Sequence, residues 1–162
     1  MKNNIREFKN EEELMSCLDI VVNSIIKNAK NINVIKNINP NHCKTLCKMI
    51  FNKQIEDYYL YCFADKETDE PVGACLLSCG SPWYDPDLLI LNEEFIVSFK
   101  KGAGVARDLA EFLKGELKKG KVDFIQTGSV NDWCSKMLYN TYTKAGFHLY
   151  NNYYMSKEDL IE

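Results

Sequence analysis

Residues 101–110 read Lys-Gly-Ala-Gly-Val-Ala-Arg-Asp-Leu-Ala, a run of small side chains that passes into an amphipathic helical pattern. They follow an apolar, strand-like segment at residues 88–97. Glycines let a ligand approach the backbone, and the first turn of a helix presents unpaired N–H groups and a partial positive charge. The pattern therefore indicates a site for phosphate or pyrophosphate. A plain tight turn between a strand and a helix is the alternative.

A second run of residues that could take part in a reaction lies further along the chain, at residues 142–147. Together the two runs resemble the GNAT superfamily of N-acetyltransferases, whose members hold the pyrophosphate of acetyl-CoA in an Arg/Gln-x-x-Gly-x-Gly/Ala loop. Lys101, Gly104 and Ala106 match that loop, with lysine where arginine or glutamine is usual. The second run resembles the family's Tyr-x-Lys-x-Gly-Phe segment beside the thioester, through Tyr142, Lys144, Gly146 and Phe147. The resemblance is good from residue 71 onward and extends to the first half only by layout.

The resemblance implies that acetyl-CoA is the co-substrate. Its pyrophosphate would bind the loop formed by Lys101, Gly102, Ala103, Gly104, Val105 and Ala106. Two neighbouring strands would diverge, so that backbone groups of Ile96 and Val97 bind the pantetheine arm. Asn131 corresponds to an asparagine that bonds this arm in the family, but it stands further from the tyrosine than usual and serves equally well as a helix N-cap.

Acetyl transfer to an amine needs a proton acceptor, because a free alkylamine has a pKa of about 10.4 and is almost fully protonated at neutral pH. Glu93 and Glu94 stand in the apolar segment that leads into the loop. Neighbouring residues of a strand face opposite sides, so at most one of these carboxylates faces the substrate. The alternative is that both are solvated or paired with lysines.

The leaving thiolate needs a proton donor, and the resemblance assigns this role to Tyr142. Tyr139, one helical turn earlier, competes for the role or belongs to the cofactor site. An amphipathic helix also places tyrosines in a core, which is the alternative for Tyr142.

Bulk composition is that of one globular domain over residues 1–162. The net charge of -3 argues against a nucleic-acid binder, and no apolar run has the length of a membrane span. Seven cysteines and two histidines show no zinc spacing, so we expect no metal. The odd cysteine number and the polar N-terminus without a signal peptide favour buried thiols in a reducing cytoplasm.

Hydrophobic periodicity predicts elements in the order β-α-α-β-β-β-α-β-α-β-β. This is also the order of the GNAT fold, so the resemblance implies an α/β fold with a mixed sheet. The predicted strands cover residues 5–8, 58–64, 71–78, 88–97, 122–127, 147–150 and 153–156. The predicted helices begin after Asn10 and at Pro40, and cover residues 105–119 and 132–144.

The functional hypothesis is an N-acetyltransferase that moves an acetyl group from acetyl-CoA to a primary amine by direct attack. No cysteine stands in a Cys-His-Asp setting, which disfavours a covalent intermediate. A small amine is slightly preferred as acceptor over a protein lysine or N-terminus. A non-catalytic CoA-binding module is the rival of another class, and an ATP-binding loop is disfavoured because the Lys-Ser/Thr ending is missing. The sequence leaves open which amine is the acceptor, whether the acyl group is longer than acetyl, and whether the protein forms a homodimer.

Overall fold

A five-stranded mixed sheet lies at the centre of the protein in this computed structural model, which describes residues 1–28, 38–127 and 132–148. The strands are neighbours in chain order: β1 (Asn3–Arg6), β2 (Tyr58–Asp65), β3 (Pro71–Gly80), β4 (Ile90–Ser98) and β5 (Phe124–Gln126). Each of the first three strands is antiparallel to the next, whereas β5 is parallel to β4. A parallel pair requires a crossover connection, which a helix between β4 and β5 supplies.

Four helices in the described residues cover the two faces of the sheet: α1 (Glu11–Asn28), α2 (Pro40–Phe51), α3 (Val105–Lys118) and α4 (Asp132–Lys144). Side chains alternate along the strands, so Ala64 and Leu76 pack beneath α1 and α2. Their neighbours Phe63 and Leu77 pack beneath α3 on the other face. α4 then packs against α3 rather than against the sheet centre, through a small cluster that contains Tyr142.

The predicted α/β class and the element order from the first strand to α4 are confirmed. The two last predicted strands, at residues 147–150 and 153–156, extend into or lie in the part of the chain outside the described residues. β1 was expected at residues 5–8 and instead runs from Asn3 to Arg6, because these four residues are the ones that pair with β2. β5 is shorter than the expected 122–127, because it pairs with only three residues of β4.

Polar side chains begin the helices as their sequence positions suggest. Asn10 accepts a hydrogen bond from the N–H of Glu13 at 2.8 Å, before α1. Asn39 accepts one from the N–H of His42 at 3.1 Å, and Pro40 takes the first position of α2, where its missing N–H carries no penalty. α3 differs, since Gly104 precedes it and brings no capping side chain.

Six cysteines among the described residues are free thiols, and two of them, Cys43 and Cys79, are only half-buried rather than buried. Cys17, Cys47, Cys62 and Cys75 are buried, and burial raises the pKa of the Cys17 and Cys47 thiols to about 11 and that of Cys62 to about 12. A thiol with so high a pKa is a poor nucleophile and acts as an apolar core group. Among the described helices, none is both long enough and apolar enough to cross a membrane.

Candidate functional site

β5 pairs only with the first three residues of β4. Only Ile90, Leu91 and Asn92 pair with β5, while β4 continues to Ser98. Residues 93–98, apart from Glu94, pair with β3 on one edge, and within the described part of the chain their other edge is open. Ile96 and Val97 lie in this open stretch. An open strand edge offers N–H and C=O groups to an extended ligand, as an added strand would use them.

The glycine loop connects the end of this open stretch to α3. Gly102 and Gly104 have φ angles of +76° and +79°, a left-handed backbone that side chains rarely adopt. The N–H of Ala103 closes a turn on the carbonyl of Lys100 at 3.2 Å, so it is engaged within the loop. Glycine at the N-cap leaves the first turn of α3 uncapped.

The unsatisfied N–H groups form a cluster at the start of α3. Among the described residues, the N–H groups of Gly104, Val105, Ala106 and Arg107 have no hydrogen-bond acceptor. Four free donors and the positive end of the helix dipole lie at this helix terminus, and this arrangement suits an anion. Lys101 is exposed in the loop itself.

A tyrosine–glutamate pair lies at the start of the open stretch, whereas the glycine loop follows its end. The Tyr142 hydroxyl of α4 donates a hydrogen bond to the carboxylate of Glu93, near the middle of β4. Tyr142 is buried, at 7% exposure, and Glu93 is half-buried. The Tyr142 ring packs against Phe147 at a centroid distance of 5.2 Å.

Burial changes the acid–base properties of both groups. Loss of hydration raises the pKa of the Glu93 carboxyl to about 7, although the hydrogen bond from Tyr142 opposes this rise. Burial, the nearby Glu93 charge and the hydrogen bond to it raise the pKa of the Tyr142 phenol far above its ordinary value. At neutral pH Glu93 is therefore poised between its two protonation states, and Tyr142 keeps its proton.

A β-bulge separates Glu93 from Glu94. Leu77 pairs with Glu93 and Leu76 pairs with Phe95, which leaves Glu94 as the extra residue. Glu94 is exposed and accepts a hydrogen bond from the Ser78 hydroxyl at 2.5 Å. The two carboxylates thus have different partners, and Glu93 is the one beside Tyr142.

Two further residues, Tyr139 and Asn131, were predicted to belong to the cofactor site. Tyr139 is 49% exposed on the outer surface of α4, unlike the buried Tyr142. Asn131 lies outside the described residues. No group of three or more metal-binding side chains occurs within the described residues.

Comparison with known proteins bears on the fold. No family model and no curated protein sequence matches this chain. A predicted acetyltransferase from Clostridium acetobutylicum, solved with acetyl-CoA, has a TM-score of 0.66 at 13% identity, covering 96% of each chain. A GNAT family acetyltransferase from Staphylococcus aureus has a TM-score of 0.57 at 15% identity, covering 97% of this chain and 99% of that one. The chain has the GNAT fold.

A third structure with a similar fold is an aminoglycoside acetyltransferase from an uncultured soil metagenomic sample, in complex with sisomicin. It has a TM-score of 0.59 at 12% identity, covering 96% of this chain and 97% of that one. The fold predicted from the two sequence runs is therefore confirmed along almost the whole chain. Identities this low establish a shared fold, and the roles of single residues rest on the geometry of this chain.

Three residues near the glycine loop were not predicted from the sequence. Lys2 and Asn3 approach the loop from the far end of the chain, with the Lys2 ammonium 3.3 Å from the carbonyl of Gly102. No spacing rule connects them to residues 101–106. Asp108 did carry a signal, because a carboxylate stands on the apolar face of α3 beside Val105 and Leu109.

Proposed function

We propose that this protein is an acetyltransferase that moves the acetyl group of acetyl-CoA to a primary amine by direct attack. One observation carries the proposal: a single strand, β4, holds a raised-pKa carboxylate, an open backbone edge and a loop that ends in free N–H groups. These are the parts that acetyl-CoA and an amine require, in the order in which an extended cofactor would meet them. The GNAT fold supports the same activity.

The donor half of the site would bind acetyl-CoA. The pyrophosphate would accept hydrogen bonds from the N–H groups of residues 104–107, where the helix dipole also favours negative charge. Lys101 would add charge without the bidentate geometry of an arginine. The amides of the pantetheine arm would pair with the open edge at Ile96 and Val97. The acetyl thioester would then approach the Glu93–Tyr142 pair.

Glu93 and Tyr142 would supply the proton transfers. Glu93 removes a proton from the substrate ammonium, and the free amine attacks the thioester carbonyl, forming the C–N bond as the C–S bond breaks. Tyr142 protonates the leaving thiolate, and its phenolate regains a proton from Glu93 through their hydrogen bond. The acetylated nitrogen releases its extra proton to water, so the enzyme is restored and one proton is liberated per turnover.

The acceptor is the least constrained part of the proposal. A small amine is our first candidate, because Glu93 offers a carboxylate to an ammonium and because one protein of the same fold binds sisomicin. A lysine or N-terminus of a protein, and a donor acyl group longer than acetyl, remain to be compared in the same assay. The free thiols favour a reducing, cytoplasmic setting. We further propose that residues 1–162 form one domain and that the protein is a homodimer.

Calorimetry with acetyl-CoA tests the donor half directly. Wild-type protein should bind, and Gly104→Glu should lose binding, because the new side chain strains the left-handed backbone and brings a carboxylate to the anion site. Gly115→Glu is the matched control, since a side chain there enters open space on the same helix. Release of free CoA is then screened across amines. A folded wild-type protein that binds no acetyl-CoA contradicts the proposal, and binding without acetylation of any amine favours a CoA-binding module.

A further inference from the structure

A fully buried carboxylate lies just inside the first turn of α3. Asp108 is 0% exposed, and both of its oxygens accept a hydrogen bond from the N–H of Lys2, each at 2.9 Å. One of them also accepts from the N–H of Asn3 at 2.7 Å. Burial of a charge is unfavourable unless donors surround it, and here the start of β1 provides them.

The same end of β1 holds the glycine loop. The Asn3 side chain is 1% exposed, and its amide nitrogen donates to the carbonyl of Ala103 at 2.8 Å. The Lys2 ammonium lies 3.3 Å from the carbonyl of Gly102. Two consecutive carbonyls of the loop are thus turned toward β1. In a trans peptide the following N–H points the opposite way, so the bond from Asn3 directs the N–H of Gly104 away from β1.

We propose that Asn3 and Asp108 are positioning residues that hold the loop and the start of α3 in the conformation that binds the cofactor's pyrophosphate. This inference rests on the proposed function. Asn3 acts through the Ala103–Gly104 peptide, and Asp108 acts by joining the first turn of α3 to β1. Neither side chain touches the cofactor in this proposal.

Asp108 has a second effect on the same site. A carboxylate in the first turn of a helix is itself attracted to the free N–H groups there, where it would compete with a phosphate. The N–H groups of Lys2 and Asn3 hold this carboxylate on the β1 side. The N–H groups of residues 104–107 are therefore left for a ligand.

Calorimetric titration with CoA, at a temperature well below the unfolding transition, tests the inference. Asn3→Ala should weaken CoA binding about 10-fold, because the peptide before Gly104 loses its restraint. Asn4→Ala is the matched control, since Asn4 is the next residue of the same strand and is exposed. We expect its affinity to equal that of the wild type. A merely structural role for Asn3 would lower the melting temperature and leave the affinity of the folded protein unchanged.

The outcomes separate this inference from the proposed function. A folded wild-type protein that does not bind CoA contradicts both. Binding of equal strength by the wild type and Asn3→Ala overturns the inference alone. Should Asn3→Ala fail to fold, Asn3→Ser is compared with Asn4→Ser, because the shorter polar side chain removes the amide donor to the carbonyl of Ala103 without changing the charge near the loop. About 3-fold weaker binding for Asn3→Ser alone supports the inference, and equal binding overturns it.

Discussion

The hydroxyl of Tyr142 donates a hydrogen bond to the carboxylate of Glu93, and this contact connects α4 to the open stretch of β4. The pKa values of both groups are raised, because burial reduces the hydration of the half-buried Glu93 and of the buried Tyr142. Glu93, a base whose pKa is about 7, is in direct contact with Tyr142, an acid that keeps its proton at neutral pH. The pair can exchange a proton without a mobile water.

Replacement of Tyr142 by phenylalanine should lower turnover about 100-fold, because the thiolate loses its proton donor. Turnover is measured as CoA release with the first amine that reacts, and CoA affinity by calorimetry should stay at the wild-type value. Tyr59→Phe serves as control, since Tyr59 is exposed on β2. A Tyr142→Phe enzyme with full turnover would remove the phenol from the mechanism.

The pH dependence should report the Glu93 carboxyl. Because the base works in its ionised form, kcat/KM should rise with pH and level off above about 7. The Tyr142 hydrogen bond lowers the pKa of Glu93, so Tyr142→Phe should move this rise to higher pH. Glu93→Gln should abolish the rise, and a rise that persists in this variant would assign the base to another group.

Stability should depend on the same carboxyl. The pKa of Glu93 is raised on folding, from an ordinary value of 4.5 to about 7, so the folded protein binds more protons than the unfolded chain between these values. The contribution of Glu93 to the free energy of unfolding therefore falls as the pH rises through this window. Glu93→Gln should stabilise the protein more at pH 8 than at pH 4. Melting curves at the two pH values check this, and an equal effect at both would contradict it.

Asp108→Ala should lower the free energy of unfolding by about 3 kcal/mol, because the buried N–H of Asn3 and the partly buried N–H of Lys2 are left without an acceptor. Urea denaturation measures the change. Asp123→Ala is the control, since Asp123 accepts one bond, from the N–H of Leu89 at 2.9 Å, in an exposed setting. We expect the control to lose about 1 kcal/mol, and losses of equal size would show that burial of Asp108 is unimportant.

Gly73→Ala should destabilise the protein by about 2 kcal/mol and disturb the start of α3. A Cβ at Gly73 would lie 2.8 Å from the carbonyl oxygen of Val97 and 2.7 Å from a methyl carbon of Val105, so β3 and α3 would have to separate. Gly80→Ala on the same strand meets open space and should be neutral. Urea denaturation of both variants is the measurement, and equal stabilities would contradict this close packing.

The amino-acid sequence determined what depends on neighbours along the chain. α4 spans the predicted residues 132–144, and α3 begins at the predicted Val105. Both were predictable because hydrophobic periodicity and the residues that start a helix are local properties of the chain. The glycine loop was recognisable for the same reason, since the positive φ angles at Gly102 and Gly104 favour glycine through the local backbone alone. These local patterns, with the resemblance that they carry, were sufficient for the fold.

Only the tertiary structure decided which side chains meet. The bulge at Glu94 and the packing of α4 on α3 bring Glu93, rather than its neighbour, to Tyr142. Asn3 and Asp108 meet across a sequence separation of 105 residues. Burial and partners of this kind arise when distant segments pack together, and they set the pKa of Glu93 and the shape of the loop. A pattern along the chain contains the residue types, whereas distance, hydration and hydrogen-bond partners exist only in the folded protein.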